Sequence, residues 1–262
     1  MKAIMLAAGV GNRLSGGSDR HLPKSLLRFG GRTLLHRHVN ILRSLGIEEL
    51  VLVTGYRADD IAAEVEAIGA GDFVRPVHNP DYRRGSMVSL WTAREALGSG
   101  VAVLTMDADV LYDISLLENL LKAPQETCFP LDREFEAGDE PVKLCVADGV
   151  PVEFRKDIGA VGYDLIGEWP GFLRLSPASA SALADVVQRF IDGGDTDAPY
   201  EEAIRAMVLG TPPDPVGIED ITSIPWIEID FPEDLKRAEA EILPRIVAGV
   251  STIPERSGPK LR

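Results

Sequence analysis

Unbroken apolar runs alternate with helical periodicity through the first half of the chain. Lys2 to Ala8 is a short β-rich run. A glycine-rich stretch follows, and then Leu34, Leu35, Val39, Leu42 and Leu45 recur at helical spacing until Gly46. The unit repeats as Leu50-Val51-Leu52-Val53-Thr54 before a helix around Asp59 to Ile68, as Phe73 to Val77 before a helix around Met87 to Leu97, and as Val101 to Met106. Strands that are apolar on both faces and separated by helices predict an α/β fold, a Rossmann-like and mostly parallel sheet flanked by helices.

After about residue 125 the rhythm changes. Shorter strands follow one another without helices, including Val142 to Val146 and Val150 to Phe154 joined by Ala147-Asp148-Gly149, where Asp-Gly is a strong hairpin signal. This predicts a small antiparallel extension. Helices return at about Ala178 to Ile191 and Tyr200 to Val208, followed by a short strand near Trp226 to Ile229 and a helix opening at Pro232. The expected organisation is one domain over residues 1–248. It comprises a first part to about 125, the extension over about 126–176, and closing helices with a last strand over about 177–248. Residues 249–262, rich in Pro, Ser, Gly and Arg, read as a loose tail.

A length of 262 residues suits one large α/β domain with a substantial core and is short for two. The formal net charge of -14 argues against a broad grip on nucleic acid, so any phosphate site must be a local basic cluster. The two cysteines, Cys128 and Cys145, sit in apolar strand-like segments without zinc or disulfide spacing and read as buried thiols. The apolar opening from Met1 to Ala8 is too short for a signal peptide or a membrane span, so a soluble, cytoplasmic protein is expected. Apolar positions on the helices allow a homodimer without naming its interface.

Candidate chemistry concentrates in Leu6-Ala7-Ala8-Gly9-Val10-Gly11-Asn12-Arg13-Leu14 and the downstream Pro23-Lys24. Glycines at the end of a buried strand let backbone N–H groups approach phosphate oxygens, and the small Ala7 and Ala8 leave room for a base or ribose. Arg13 offers a fork of donors to an outgoing pyrophosphate, and Lys24 a point charge to an α-phosphate as negative charge develops. The third glycine of a dinucleotide fingerprint is missing, as is the Gly-Lys-Ser/Thr of a Walker loop.

The segment A-A-G-x-G-x-R-L with P-K resembles the signature of the nucleoside-triphosphate transferase superfamily, which includes sugar-1-phosphate nucleotidyltransferases and small cytidylyltransferases. The similarity runs from Met1 to about Leu243. It implies the nucleotide-diphospho-sugar transferase type of fold, with the first part binding the nucleotide and the antiparallel extension binding an acceptor.

The strand ending at Met106 delivers Asp107-Ala108-Asp109 to its carboxyl end, where open α/β sheets bind ligands. A second acidic candidate lies in Trp226-Ile227-Glu228-Ile229-Asp230. Asp109 or Asp107 together with Asp230 would hold Mg²⁺ through hard oxygen ligands. The resemblance matches D-A-D-V to the superfamily's aspartate on its fourth strand and W-x-E-I-D to its late metal-binding aspartate. It favours Asp109 over Asp107.

Asn79-Pro80-Asp81-Tyr82-Arg83-Arg84-Gly85-Ser86-Met87-Val88-Ser89-Leu90-Trp91 leads from a strand through a turn into a helix. Asn79, the N–H groups around Gly85 and the Ser86 hydroxyl are candidates to read a pyrimidine edge. The stretch resembles small cytidylyltransferases in which a serine at this helix start contacts the base, which implies CTP. The segments around Asp132, Lys143 and Phe154 resemble the acceptor half of phosphonate and phosphocholine cytidylyltransferases. Lys156 or Arg155 would bind an anionic head, and Asp132, Glu201, Glu228, Tyr200 and Trp226 would surround a cation.

The expected activity is magnesium-dependent transfer of CMP from CTP to a small phosphorylated or phosphonate acceptor, with release of pyrophosphate. Three alternatives stand beside it. A sugar-1-phosphate or inositol-phosphate nucleotidyltransferase using another NTP shares the first motif. A glycosyltransferase would use Asp107-Ala108-Asp109 as its D-x-D, although Arg13 with Lys24 suits an NTP donor better. A non-catalytic nucleotide sensor would have no use for the lysine and the acids together.

Overall fold

Seven strands form the central sheet of the computed structural model, which describes residues 1–15, 21–135 and 141–250. In order across it run Val216–Asp220, Thr127–Leu131, Phe172–Leu175, Val103–Asp107, Lys2–Ala7, Glu49–Thr54 and Val74–His78. Among these, Phe172–Leu175 runs antiparallel to both of its neighbours, and the other pairings are parallel. This is the nucleotide-diphospho-sugar transferase fold, a mostly parallel sheet with helices on both faces.

Strand alternation explains the unbroken apolar runs. Ala3 and Met5 enter one core, with Leu50 and Leu52 beside them and the helices Leu34–Ser44, Ala58–Ala67 and Ile114–Lys122 above. Ile4, Val51 and Val53 enter the opposite core, against Ser86–Thr92, Pro177–Gly193 and Glu201–Leu209. Each face needs apolar side chains at every second position, so a strand covered on both sides shows no alternation in its sequence.

The long helix Pro177–Gly193 has clear local causes. Ser176 accepts a hydrogen bond from the Ser179 N–H, Pro177 occupies the first turn, and Gly194 closes the helix in the left-handed region at φ 84°. Such a cap contributes about 1 kcal/mol. The reversed strand is anchored by buried Arg174, whose guanidinium donates to the carbonyls of Leu120, Leu121, Ala123, Gln125 and Glu126.

Two sequence expectations are corrected. The stretch 126–176 is divided rather than forming one extension: Thr127–Leu131 and Phe172–Leu175 complete the central sheet. Among the described residues of that stretch, Lys143–Ala147, Val150–Arg155 and Leu165–Glu168 make a separate antiparallel sheet. Pairing between strands distant in sequence leaves no local trace for periodicity to detect. The helix expected over Met87 to Leu97 is also broken, into Ser86–Thr92 and Arg94–Leu97. The Asp148-Gly149 hairpin forms as expected, with both residues at positive φ. Most of the expected tail, residues 251–262, lies outside the described residues, and Leu243–Val250 is helical.

A small antiparallel ribbon brings the late acidic segment to the sheet. Trp226–Glu228 pairs with Val110–Tyr112, directly after the Asp107-Ala108-Asp109 turn. Leu111, Ile227 and Ile229 bury this ribbon against Phe29, Ala238 and Ile246. No helix among the described residues is long and apolar enough to cross a membrane.

Candidate active site

Sheet register sets the site. Leu6 pairs with Asp107 and Ala7 with Thr54, so the glycine turn and the first acidic segment emerge side by side at the carboxyl edge of the sheet. Gly11 sits at φ 72°, a conformation that side chains disfavour and glycine does not. After Pro23, Lys24–Leu26 forms one turn of tight helix anchored by buried Leu26, and this turn returns Lys24 to the cleft.

The Lys24 ammonium lies between two carboxylates, 2.9 Å from Asp109 and 2.6 Å from Asp230. Arg13 reaches the other oxygen of Asp230 at 3.1 Å. Burial works against the Lys24 charge, but the two carboxylates outweigh it and hold the group above its ordinary value. Burial alone would raise the Asp230 carboxyl, yet Lys24 and then Arg13 hold it below its ordinary value. The register of the ribbon causes this meeting, because the Ile229 N–H donates to the Asp109 carbonyl at 3.0 Å and sets Asp230 opposite Asp109.

Asp107 and Asp109 part company. The strand ends at Asp107 and the chain bends through Ala108 and Asp109. Asp109 turns to Lys24, whereas Asp107 accepts a hydrogen bond from the Tyr200 hydroxyl at 2.8 Å. Burial, followed by the charges of Asp109, Glu228 and Glu201, pushes the Asp107 carboxyl well above its usual range.

Asp109, Glu228 and Asp230 bring carboxylate oxygens within 4.8 Å of one another. Seclusion at the cleft floor and the charges of Asp109 and Asp230 push the Glu228 carboxyl up, although its side chain still opens to solvent. Three hard oxygen donors crowded in this way suit a divalent cation of the Mg²⁺ type, whose charge would relieve their repulsion. The sequence expectation puts Glu228 with the acceptor alone, and the structure adds it to the acidic cluster. Alternation along a strand places residues 228 and 230 on one face, a signal present in the sequence.

A cleft of about 320 Å³ extends from this cluster. Leu6, Ala7, Ala8, Gly9, Gly11, Gly85 and Ser86 line it, together with Lys24, Asp107 and Asp109. Gly85 is required by space, because a Cβ there would lie 2.7 Å from the Thr196 carbonyl oxygen. Asn79 is not among the lining residues. It is fully buried, accepts from the Asp81 N–H at 2.9 Å and donates to the Ser89 hydroxyl oxygen at 3.0 Å. A carboxamide held this way leaves the Ser89 proton to point elsewhere, and Ser89 lines the cleft. Ser86 accepts from the Tyr200 N–H at 2.9 Å. Sequence reading misses Ser89, Tyr82, Arg83 and Ser25. The buried Ser25 hydroxyl also lines the cleft and has no partner among the described residues.

The expected acceptor residues divide between two places. Tyr200, Glu201 and Glu228 line the first cleft. Burial raises the Glu201 carboxyl, and its Oε2 is buried without a hydrogen-bond partner among the described residues. Asp132 and Trp226 line an adjoining cavity of about 610 Å³, which shares Glu228 with the cleft and also reaches Asp230. There the Trp226 indole N–H donates to Asp132 at 2.8 Å. Arg155 is paired with Glu202 at 2.8 Å rather than turned into either space. The Lys156 charge acts on Glu201, Glu228 and Asp230.

A glycine turn, a lysine and converging acids thus meet at the carboxyl edge of this sheet. The chain belongs to the MobA-like NTP transferase domain family, which matches residues 3–153. It is 28% identical over 93% of its length to the CMP-5'-(3-aminopropyl)phosphonate synthase of Streptomyces rubellomurinus, covering 39% of that protein. It is 30% identical over 92% of its length to a bifunctional IPC transferase and DIPP synthase of Rubrobacter xylanophilus, covering 52%. The chain thus spans about half or less of the length of these two relatives. In fold it is similar to the inositol-1-phosphate CTP transferase from T. maritima, with a TM-score of 0.74, 21% identity and coverage of 95% of this chain and 96% of that one.

Proposed function

We propose that the chain transfers CMP from CTP to a small acceptor bearing a phosphate or phosphonate at one end and an amine at the other. The observation that carries nucleotidyl transfer is the Lys24 ammonium seated between Asp109 and Asp230 beside the glycine turn. The buried, unpartnered Glu201 oxygen in the same cleft supports the amine, since a carboxylate shielded from water favours a cationic partner. The named activity of the Streptomyces relative agrees in both nucleotide and acceptor.

In this mechanism the Gly9 to Gly11 turn cradles the triphosphate, and the Ser86 and Ser89 hydroxyls face the base. The acceptor oxyanion is already a nucleophile, so no side chain needs to remove a proton. Its oxygen forms a bond to the α-phosphorus while the bond from that phosphorus to the bridging oxygen breaks, and pyrophosphate leaves with the electron pair. Lys24 neutralises charge on the α-phosphate, and Arg13 holds the pyrophosphate. Asp109, Asp230 and Glu228 would hold a Mg²⁺ ion, which would supply further charge neutralisation at the phosphates. Lys156 draws in the anionic end of the acceptor, and Glu201 and Tyr200 receive its amine.

Pyrophosphate release and product mass, measured with CTP, UTP, GTP and ATP against an aminoalkylphosphonate, phosphocholine, inositol phosphate and a hexose-1-phosphate, test this reading. CTP with an amine-bearing acceptor is the pair expected to turn over. Turnover confined to a hexose-1-phosphate, or to an NTP other than CTP, overturns it. Inositol phosphate is the second reading, favoured by the acids Asp132, Glu168 and Glu228 lining the second cavity, which suit hydroxyls as well as cations.

A further inference from the structure

Each backbone segment of the Asp107-Ala108-Asp109 turn is held from a different direction. The Asp107 N–H donates to the Gly171 carbonyl at 3.1 Å, and the Asp109 carbonyl accepts from the Ile229 N–H at 3.0 Å. Between them, the Ala108 carbonyl faces Nε2 of His38 at 3.3 Å. The first two contacts are backbone to backbone and form whenever the sheet and ribbon form. The third comes from a side chain on another element, the helix Leu34–Ser44.

His38 is an unusual residue for its place. It is 1% exposed within an apolar core, where an imidazole is retained only if both nitrogens are satisfied. A carbonyl can only accept, so Nε2 carries the proton and donates to Ala108. Nδ1 then accepts from the Tyr112 hydroxyl, also at 3.3 Å, and the two rings lie 5.4 Å apart. Tyr112 is paired with Trp226 in the ribbon that delivers Glu228 and Asp230. One imidazole therefore touches both parts of the acidic cluster's frame: the turn carrying Asp109 and the ribbon carrying its two partners.

We infer that His38 is a positioning residue, holding the Ala108 peptide so that Asp107 turns to Tyr200 and Asp109 to the metal-binding cluster. This rests on the function proposed above. With the donor removed, the Ala108 carbonyl loses its partner between the two backbone anchors, so the Asp109 carboxylate is held less firmly in the cluster in the free enzyme. Groups that orient a metal ligand without touching the metal typically change affinity by roughly 10-fold to 100-fold when lost. The nucleotide-binding glycine turn is left unaffected, because His38 contacts no part of it.

The test is Mn²⁺ affinity in the presence of CTP and the absence of acceptor, read by the electron paramagnetic resonance of free Mn²⁺. Metal-free CTP affinity is measured alongside by calorimetry in chelator. His38→Leu is expected to bind Mn²⁺ roughly 10-fold more weakly with metal-free CTP affinity unchanged. His38→Gln places an N–H as many bonds from the backbone as Nε2 and is expected to restore most of the affinity. A folded His38→Leu protein with wild-type Mn²⁺ affinity overturns the inference, as does a folded His38→Gln protein as weak as His38→Leu. Should His38→Leu fail to fold, His38→Asn decides, since its amide falls one bond short of Ala108: weakened Mn²⁺ binding supports the role and wild-type binding overturns it. A wild-type protein that binds no Mn²⁺ beyond that held by CTP in solution overturns instead the metal-dependent function itself.

Discussion

The two ends of the cleft are built on different plans. At the end proposed to hold the nucleotide, Ala7, Ala8, Gly9, Gly11 and Gly85 expose backbone, beside the hydroxyls of Ser86 and Ser89 and the charged Arg83. At the end proposed to hold the acceptor, Glu201, Glu228 and Tyr200 project from a helix, a ribbon strand and a helix cap far from the glycine turn in sequence. Backbone recognition requires small residues at consecutive positions, so it is written as a motif. Side-chain recognition requires only that the fold bring a few charged groups together, so the acceptor end can change without disturbing the nucleotide end.

Substitutions at the two ends should therefore separate kinetically, and the junction between them should show the largest effect. Lys24→Ala is expected to reduce kcat by a factor of roughly 10² to 10³, the scale of losing one preorganised charge at a reacting phosphate. Steady-state turnover at saturating CTP and acceptor checks this, and wild-type kcat would remove Lys24 from the chemistry. Glu201→Gln is expected to raise the KM of an amine-bearing acceptor roughly 10-fold to 100-fold, the range for a hydrogen bond to a charged group, with the KM of CTP unchanged. Equal rises in both constants would erase the division between the ends.

Ser89→Ala should do the reverse, raising the KM of CTP by about 5-fold, the cost of one neutral hydrogen bond of about 1 kcal/mol, while the acceptor KM stays constant. Inhibition by CMP provides a second measure of the same contact. Arg155→Ala is expected to leave both constants within about 2-fold and to lower stability by about 0 to 1 kcal/mol, because its partner is Glu202 in a partly exposed ion pair outside both cavities. A marked rise in acceptor KM would return Arg155 to the site.

Legibility in the sequence divides along the same line. The glycine turn, Lys24 and the strand-end position of Asp109 are legible because each depends on local chain direction. Asp230 is legible as a strand-end acid, but its meeting with Asp109 depends on the Ile229-to-Asp109 backbone bond, a tertiary contact. Asn79 suggests a nucleotide contact because an amide near a helix start suits a base. Burial instead gives it the task of orienting Ser89. Arg155 looks available in the sequence because its partner, Glu202, lies on another element. The antiparallel position of Phe172–Leu175 in the central sheet likewise has no local signature.

The ribbon has a consequence for the life of the protein before it is complete. A polypeptide released from synthesis only as far as residue 225 already carries the glycine turn, Lys24 and Asp109, but lacks Glu228 and Asp230. On the function proposed above, the triphosphate cradle is thus laid down earlier in the chain than the acidic cluster, which closes only when residues 226–230 come to lie beside Val110–Tyr112.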